Sequence, residues 1–307
     1  MTDLSVSIVN TGSRELLLAC LGTLRGAGAD IVVLDNASED GSAEAVHERF
    51  PEVRVIAQER RAGFGANHNT VIRATGSRYV YVLNEDTTAG DWAFDRIVAY
   101  LDANPRVAAL GPRLVYPDGR QQDSAWRFPT PLVSTLGLLT VGRLGVKQSH
   151  GERPHAVDWV MGAALVLRRD ALDEAGLFDE DFFLYSEEVD LQFRLHQAGW
   201  EVHYFPDATV VHHESQFSAD IPERRINEMW RSRHRYWQKH HGRVGARAAA
   251  LATGGQYAVR AALAPLAGRS SRRMLLHARD AWEVTGPGLR ELADEWNGRV
   301  AVRGRVD

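Results

Sequence analysis

In the stretch 176–202, GLFDEDFFLYSEEVDLQFRLHQAGWEV, three of the carboxylates sit where an aromatic run gives way to a helical pattern. Glu187, Glu188 and Asp190 follow Phe182, Phe183 and Tyr185, and Val189, Leu191, Phe193 and Leu195 come before Gly199 stops the run. Ser186 stands where a helix takes its N-cap. A carboxylate at the mouth of a helix, flanked by aromatics, suits a general base beside a sugar or another flat polar substrate. Acidic residues in a first turn also complement the helix dipole without any catalysis, and Asp190 can pair with Arg194 at i,i+4.

Three other groupings carry chemistry. Asn84-Glu85-Asp86-Thr87 ends the apolar run Tyr79–Leu83. A carboxylate in that place can hold a hard divalent cation bridging two phosphates, or merely close an Asx-type turn. His212-His213-Glu214 ends another β-rich run, and a neutral imidazole from it can complete a metal site begun by Asp86. In Arg61–Asn69, two glycines and two asparagines open a helix, which favours the approach of a phosphate or a base carbonyl. The spacing is neither a Rossmann fingerprint nor a phosphate-binding loop.

The elements that must position these residues alternate. Strands are predicted at Ser5–Val9, Ile31–Asp35, Val53–Ala57, Tyr79–Leu83 and Val107–Gly111, with helices at Arg14–Arg25, Ser42–Phe50, Gly65–Ala74 and Asp91–Ala103. That order implies an α/β fold with a mostly parallel sheet and helices on both faces. In such sheets ligands bind beyond the carboxyl ends of the strands, where Asp35 and Asp86 fall. Residues 112–157, broken by Pro112, Pro117, Pro129 and Pro131, are predicted to be a mobile loop region. Val157–Leu167 reads as a strand interrupted by Gly162, and Glu201–Phe205 and Thr209–Val211 as two short strands. Beyond Ile221 the pattern is helical, with breaks expected at Gly242, Gly254-Gly255, Pro265 and Gly286-Pro287-Gly288. The domain reading is therefore 1–220 for the sheet domain, with halves at about 1–115 and 116–220, and 221–307 for a helical extension.

Composition bounds the function class. A chain of 307 residues with 44% hydrophobic and 25% charged residues buries a full core, and its net charge of −4 argues against nucleic acid as a partner. The lone Cys20 lies in a leucine-rich helical stretch and is expected to be a buried thiol. The first residues enter a strand pattern without the basic region of a signal peptide, and no run reaches the length of a spanning helix, so a cytoplasmic place is expected. The average charge conceals an asymmetry: Glu223–Arg279 carries 13 Lys/Arg against two acidic residues. Two readings stay open for this region, a peripheral contact with an anionic membrane surface and a helical hairpin that covers the sheet domain or forms a homodimer.

Taken in order, the segments 35–42 (DNASEDGS), 63–69 (GFGANHN), 83–87 (LNEDT), 176–202 and 211–213 (VHH) resemble the family 2 glycosyltransferases, and within them the bacterial rhamnosyltransferase-like branch. The resemblance covers roughly residues 5–240 and implies a GT-A fold, a Rossmann-like nucleotide-sugar-binding domain, with inverting transfer from a nucleotide-activated sugar. It implies further that Asp35 meets the nucleoside, that Asn67 and Asn84 lie near the nucleotide, and that Asp86 holds Mg²⁺ or Mn²⁺ with help from His212. Gly162 and the aromatic residues Phe183 and Tyr185 would border the acceptor. Glu188 takes the place of the family's usual aspartate base, with Glu187 and Asp190 as neighbouring candidates. Asn10-Thr11-Gly12 replaces the frequent Asn-Tyr-Asn at the first strand, so Asn10 and Thr11 meet the nucleotide without an aromatic platform. The implied donor is a dTDP- or UDP-sugar, with dTDP-rhamnose favoured, and the implied acceptor is a saccharide or a lipid-linked or cell-envelope glycan. A nucleotidyltransferase and a catalytically silent nucleotide- or glycan-binding module are the rival readings.

Overall fold

The computed structural model describes residues 3–141, 146–214, 222–267 and 270–303. Their contacts form two compact units. The first comprises Met1–Trp126, Lys147–Glu180 and Glu188–Phe217, and the second comprises Arg127–Val146, Asp181–Glu187 and Ser218–Asp307. Two early segments thus group with the C-terminal helices, because segments distant in sequence pack together.

The first unit is built on a ten-stranded sheet. Its strands are β1 (Leu4–Asn10), β2 (Asp30–Asp35), β3 (Arg54–Ala57), β4 (Tyr79–Asn84), β5 (Thr87–Thr88), β6 (Val107–Val115), β7 (Gln121–Gln122), β9 (His155–Val157), β11 (Ala164–Arg168) and β12 (Glu201–His212). A separate antiparallel pair joins β8 (Ala125–Trp126) to β10 (Trp159–Val160). The order is β3-β2-β1-β4-β11-β6-β12-β5, with β7 on β6 and β9 on β12. Pairing is parallel from β3 through β4 and between β6 and β12, and β11 runs against both its neighbours.

Side-chain alternation explains why both faces are covered. On β4, Tyr79, Tyr81 and Leu83 face a core shared with α1 (Arg14–Leu24), α2 (Ser42–Arg49) and α4 (Phe94–Ala103). Val80 and Val82 face the opposite core, with Ile72 of α3 (Phe64–Ala74), Leu172 of α6 (Arg169–Ala175) and Leu191 and Leu195 of α7 (Glu187–Gln197). Cys20 is buried as expected, and burial pushes its thiol up to about 12.

Several expectations need correction. Residues 112–157 are not a structureless loop: they hold β7, β8, β9 and, in the second unit, a nine-residue helix, α5 (Pro131–Leu139). Thr130 caps that helix by accepting from the Val133 N–H at 3.2 Å, and Pro131 begins it, so the proline read as a breaker is a starter. The strand expected at Val157–Leu167 is three short strands, whereas the two expected after Glu201 are one strand, β12, with irregularities after Glu201 and after Phe205.

The second unit otherwise consists of α8 (Pro222–Leu263), a 3₁₀ turn at Ala264–Ala267, α9 (Arg272–Trp282) and α10 (Leu289–Arg303). Gly242 interrupts α8 with φ 63° and ψ 179°, as expected of that glycine. Gly254-Gly255 does not break it. These two glycines serve close helix packing: a Cβ at Gly254 would lie 2.1 Å from the Trp282 indole nitrogen, and one at Gly255 would lie 3.4 Å from Leu138.

Candidate active site

Parallel pairing gathers the polar strand ends. Asn10 is the register partner of Asp35, and Val9 that of Asn84, so the loops after β1, β2 and β4 leave from one edge. Asn10 Nδ2 donates to Asp35 Oδ1 at 3.2 Å and to Ser38 Oγ at 3.0 Å, while the Ser38 N–H donates to Asp35 Oδ2 at 3.0 Å. Asn36 ties three loops together. Its Nδ2 donates to Thr11 Oγ1 at 3.1 Å and to the Ala62 carbonyl at 3.2 Å, and its Oδ1 accepts from the Ala62 N–H at 2.8 Å. Asn67 donates to the same Ala62 carbonyl at 3.2 Å, and its buried Oδ1 has no hydrogen-bond partner among the described residues.

Asp86 is 2% exposed, an enclosed carboxylate just beyond a strand end. Two β ladders bring its companion. His212 on β12 is the partner of Thr87 on β5, which sets His212 Nε2 3.4 Å from Asp86 Oδ1. Gln122 on β7, paired with β6 beside β12, presents Oε1 to His212 Nδ1 at 2.9 Å. An acceptor on Nδ1 leaves neutral imidazole with its proton there and its lone pair on Nε2, facing the carboxylate. Two acceptors turned toward each other suit a shared cation. Neighbouring ligands about 2.1 Å from one metal and at right angles stand roughly 3 Å apart. The donor set, one carboxylate and one imidazole, fits Mn²⁺ or Mg²⁺ bound mainly through the ligand's phosphates and water. Among the described residues no group of three or more His, Cys, Asp or Glu side chains is arranged to hold a metal. Of the two adjacent histidines, His213 is exposed and His212 is buried. Beside them the Glu85 carboxyl is pushed up to about 7, by burial first and by Asp86 second.

Glu188 is half-buried in the first turn of α7. A Cβ built on Gly162 would lie 3.6 Å from Glu188 Cβ and 3.4 Å from the Phe64 ring, so the missing side chain keeps the space beside Glu188 open. Gln192, fully buried, clamps this turn: its Oε1 accepts from the Val160 N–H at 2.8 Å, and its Nε2 donates to the carbonyls of Val160 at 2.8 Å and Glu188 at 2.9 Å. Gln192→Leu is expected to cost about 2–4 kcal/mol, because buried backbone groups lose their partners, and to lower kcat by loosening Glu188. Urea melts and steady-state rates check this, and a variant with unchanged midpoint and kcat would refute the clamp.

Asp190 is placed elsewhere. It is fully buried, and its Oδ2 accepts from Arg194 Nε at 2.9 Å. Arg194 in turn donates to the carbonyls of Ala175, Gly176 and Leu177. Asp190 therefore anchors the α6–α7 connection. Glu187 is 3% exposed and groups with the second unit, as do Phe183 and Tyr185. Tyr185 Oη accepts from Arg225 Nε at 2.9 Å, and the Arg290 guanidinium lies 5.7 Å from the Phe183 ring centroid. Ser186 is not the expected N-cap: its φ is 64°, and its buried Oγ has no hydrogen-bond partner among the described residues. Tyr185 shares the left-handed conformation at φ 68°, two strained residues immediately before the acidic turn.

Sequence reasoning missed Gln122, Gln192, Asn36 and Ser38 as site-building residues. Only Asn36 and Ser38 carried a local signal, their place just after a strand-end aspartate.

Residues 3–237 match the profile of the family described as "Glycosyltransferase like family 2". The chain belongs to that family. It is 31% identical over 247 residues to an N-acetylglucosaminyl-diphospho-decaprenol L-rhamnosyltransferase of Mycobacterium tuberculosis, covering 72% of this chain and 80% of the relative. It is 29% identical over 163 residues to rhamnosyltransferase WbbL of Escherichia coli K12, covering 49% of this chain and 61% of the relative. Its fold is similar to that of a Pyrobaculum calidifontis mannosyltransferase solved with GDP-Man and Mn²⁺, at a TM-score of 0.58 and 17% identity, over 97% of this chain and 84% of the other. The fold is thus the GT-A type that the sequence resemblance implies.

Proposed function

We propose that this family 2 glycosyltransferase transfers a sugar from a dTDP- or UDP-linked donor, with rhamnose favoured, to a polyprenyl-diphosphate-linked saccharide on the cytoplasmic side of a membrane. The observation that carries the reading is the buried pairing of Asp86 with a His212 whose lone pair is aimed by Gln122. The decaprenol-linked substrate in the name of the mycobacterial relative supports the acceptor class. The basic excess of the C-terminal helices supports a place at a membrane surface.

The chain's own groups divide the work. Asp35, held by Asn10 and Ser38, takes the nucleoside's hydroxyl or base donors, and Asn67 Oδ1 offers a further acceptor. Asp86 and His212 would hold Mg²⁺ or Mn²⁺, which would supply positive charge to the leaving diphosphate. Glu188 accepts the proton of the acceptor hydroxyl as its oxygen bonds to the anomeric carbon. The bond from that carbon to the diphosphate oxygen breaks on the opposite face, which inverts the configuration. Gly162 leaves room for the acceptor next to Glu188.

The test is an assay of the purified chain with UDP- and dTDP-sugars, Mn²⁺ and a polyprenyl-diphosphate-linked N-acetylglucosamine. Acceptor-dependent release of nucleoside diphosphate, with an inverted anomeric signal by NMR, is expected. Pyrophosphate release would point to nucleotidyl transfer. Tight nucleotide-sugar binding with no turnover on any acceptor would point to a binding module.

A further inference from the structure

We infer that, in the second unit, the face made by α5, the part of α8 after Gly242, and α9 docks on an anionic phospholipid surface. This rests on the reading of a membrane-linked acceptor and names the part of the chain that meets the membrane.

Among the described residues, every strongly exposed large apolar side chain lies in this unit. On α5, Leu132, Leu136 and Leu139 follow one another at i, i+4 and i+7 and are 69, 49 and 74% exposed. The opposite side of α5 is committed to α8. A Cβ on Gly137 would lie 2.8 Å from Gln256 Oε1, Gly245 meets Pro131, and Gly255 meets Leu138. The three leucines therefore point away from α8. On α8 itself, Gly245 and Gln256 mark the side toward α5, and Gly254 marks the side toward α9 through Trp282. At about 100° per residue, Val244, Ala248, Leu251 and Ala262 fall within an arc of about 60° between those two sides. Val244 is 84% exposed and Leu251 67%, and Leu275 of α9 and Leu266 of the following 3₁₀ turn are also exposed.

Charge decides what covers this face. From Lys239 to Arg279 the sequence has eight Lys/Arg and no Asp or Glu, and from Ser124 to Gly151 it has three and none. Arg243, Arg247, Arg260 and Arg273 are exposed and make no ion pair among the described residues. Arg247 lies about 60° round the helix from Val244, at the edge of the apolar arc. From there its stem can lie along the apolar strip while its head reaches a lipid phosphate. Two copies paired face to face by a two-fold axis would set these arginines against each other with no acid between them. An anionic bilayer satisfies both the leucines and the arginines. No described helix is long and apolar enough to cross a membrane, so the contact lies in the interface.

The experiment is co-sedimentation of the full chain, without donor or acceptor, with phosphatidylcholine vesicles and with vesicles containing roughly 30% phosphatidylglycerol. Binding to the anionic vesicles is expected to be at least about tenfold tighter, and to fall at least about tenfold in about 0.5 M salt. Leu136→Glu with Leu139→Glu, and separately Arg243→Glu with Arg247→Glu, are each expected to weaken it about tenfold or more. All four positions are exposed, so circular dichroism melts of the variants should overlay the parent. Equal weak binding to both vesicle types, or leucine variants that bind as the parent does, would overturn the inference. So would sedimentation equilibrium showing a dimer that the leucine variant dissolves while neither binds vesicles, because a second copy would then cover the face. A chain that glycosylates a water-soluble acceptor yet ignores vesicles overturns the docking face alone. One that binds vesicles but turns over no nucleotide-sugar overturns the catalytic reading and leaves the docking face standing.

Discussion

Replacing Glu188 by Gln is expected to lower kcat by about 10²- to 10⁴-fold, the usual worth of general-base assistance, while donor affinity stays within a few-fold. The expectation follows from geometry: Glu188 is half-buried at the start of α7, beside the space that Gly162 leaves empty and held by Gln192. The amide keeps the shape and removes only the proton acceptor, so the loss should fall on kcat and not on donor binding. The neighbouring acids are controls with different outcomes. Asp190→Asn weakens the anchor to Arg194, and is expected to lower stability by about 1–3 kcal/mol through a buried charged hydrogen bond. Single-turnover rates and calorimetric donor affinities separate these effects. A Glu188→Gln enzyme with near-parental kcat, beside an inactive and still folded Glu187→Gln, would move the base to Glu187.

Asp86→Ala is expected to weaken Mn²⁺-dependent binding of the nucleoside diphosphate by about 10²-fold or more, since half of the proposed ligand pair would be lost. Fold stability without metal should be unchanged or higher. Asp86 sits buried beside the partly buried Glu85, and removing one of two crowded carboxylates relieves their repulsion. Gln122→Leu should act in the same direction and more weakly, because His212 loses the acceptor that orients it. Isothermal titration with and without Mn²⁺, paired with thermal melts, tests both. Metal-dependent affinity unchanged in Asp86→Ala would remove Asp86 from the metal site.

Local pattern made half of this site legible. The runs Ile31–Asp35 and Tyr79–Leu83 carry their own strand period, and parallel pairing then requires Asp35 and Asp86 to emerge at the same edge. The acidic turn at 187–190 was equally plain, because a helical pattern and its first-turn acids lie within one stretch of chain. The roles within that turn were not legible. Asp190 and Glu188 are alike in sequence, and only the carbonyls that meet Arg194 and Gln192 separate an anchor from a candidate base.

Residues 112–157 show where local reading stops. Strands of two or three residues such as β7, β8 and β10 have no period of their own and exist because a distant partner satisfies their backbone. Gln122 reaches His212 across 90 positions of sequence through the pairing of β7 with β6 and of β6 with β12. Gly254-Gly255 looked like a break and proved to be a close helix contact, since a glycine's meaning depends on what packs against it. The sequence by itself determined the α/β order, the parallel course of β1 to β4 and the chemistry at their ends, all properties of neighbouring residues. The tertiary structure decided the register, the partner of each buried polar group and which leucines stay exposed, because those depend on contacts between residues far apart in the chain.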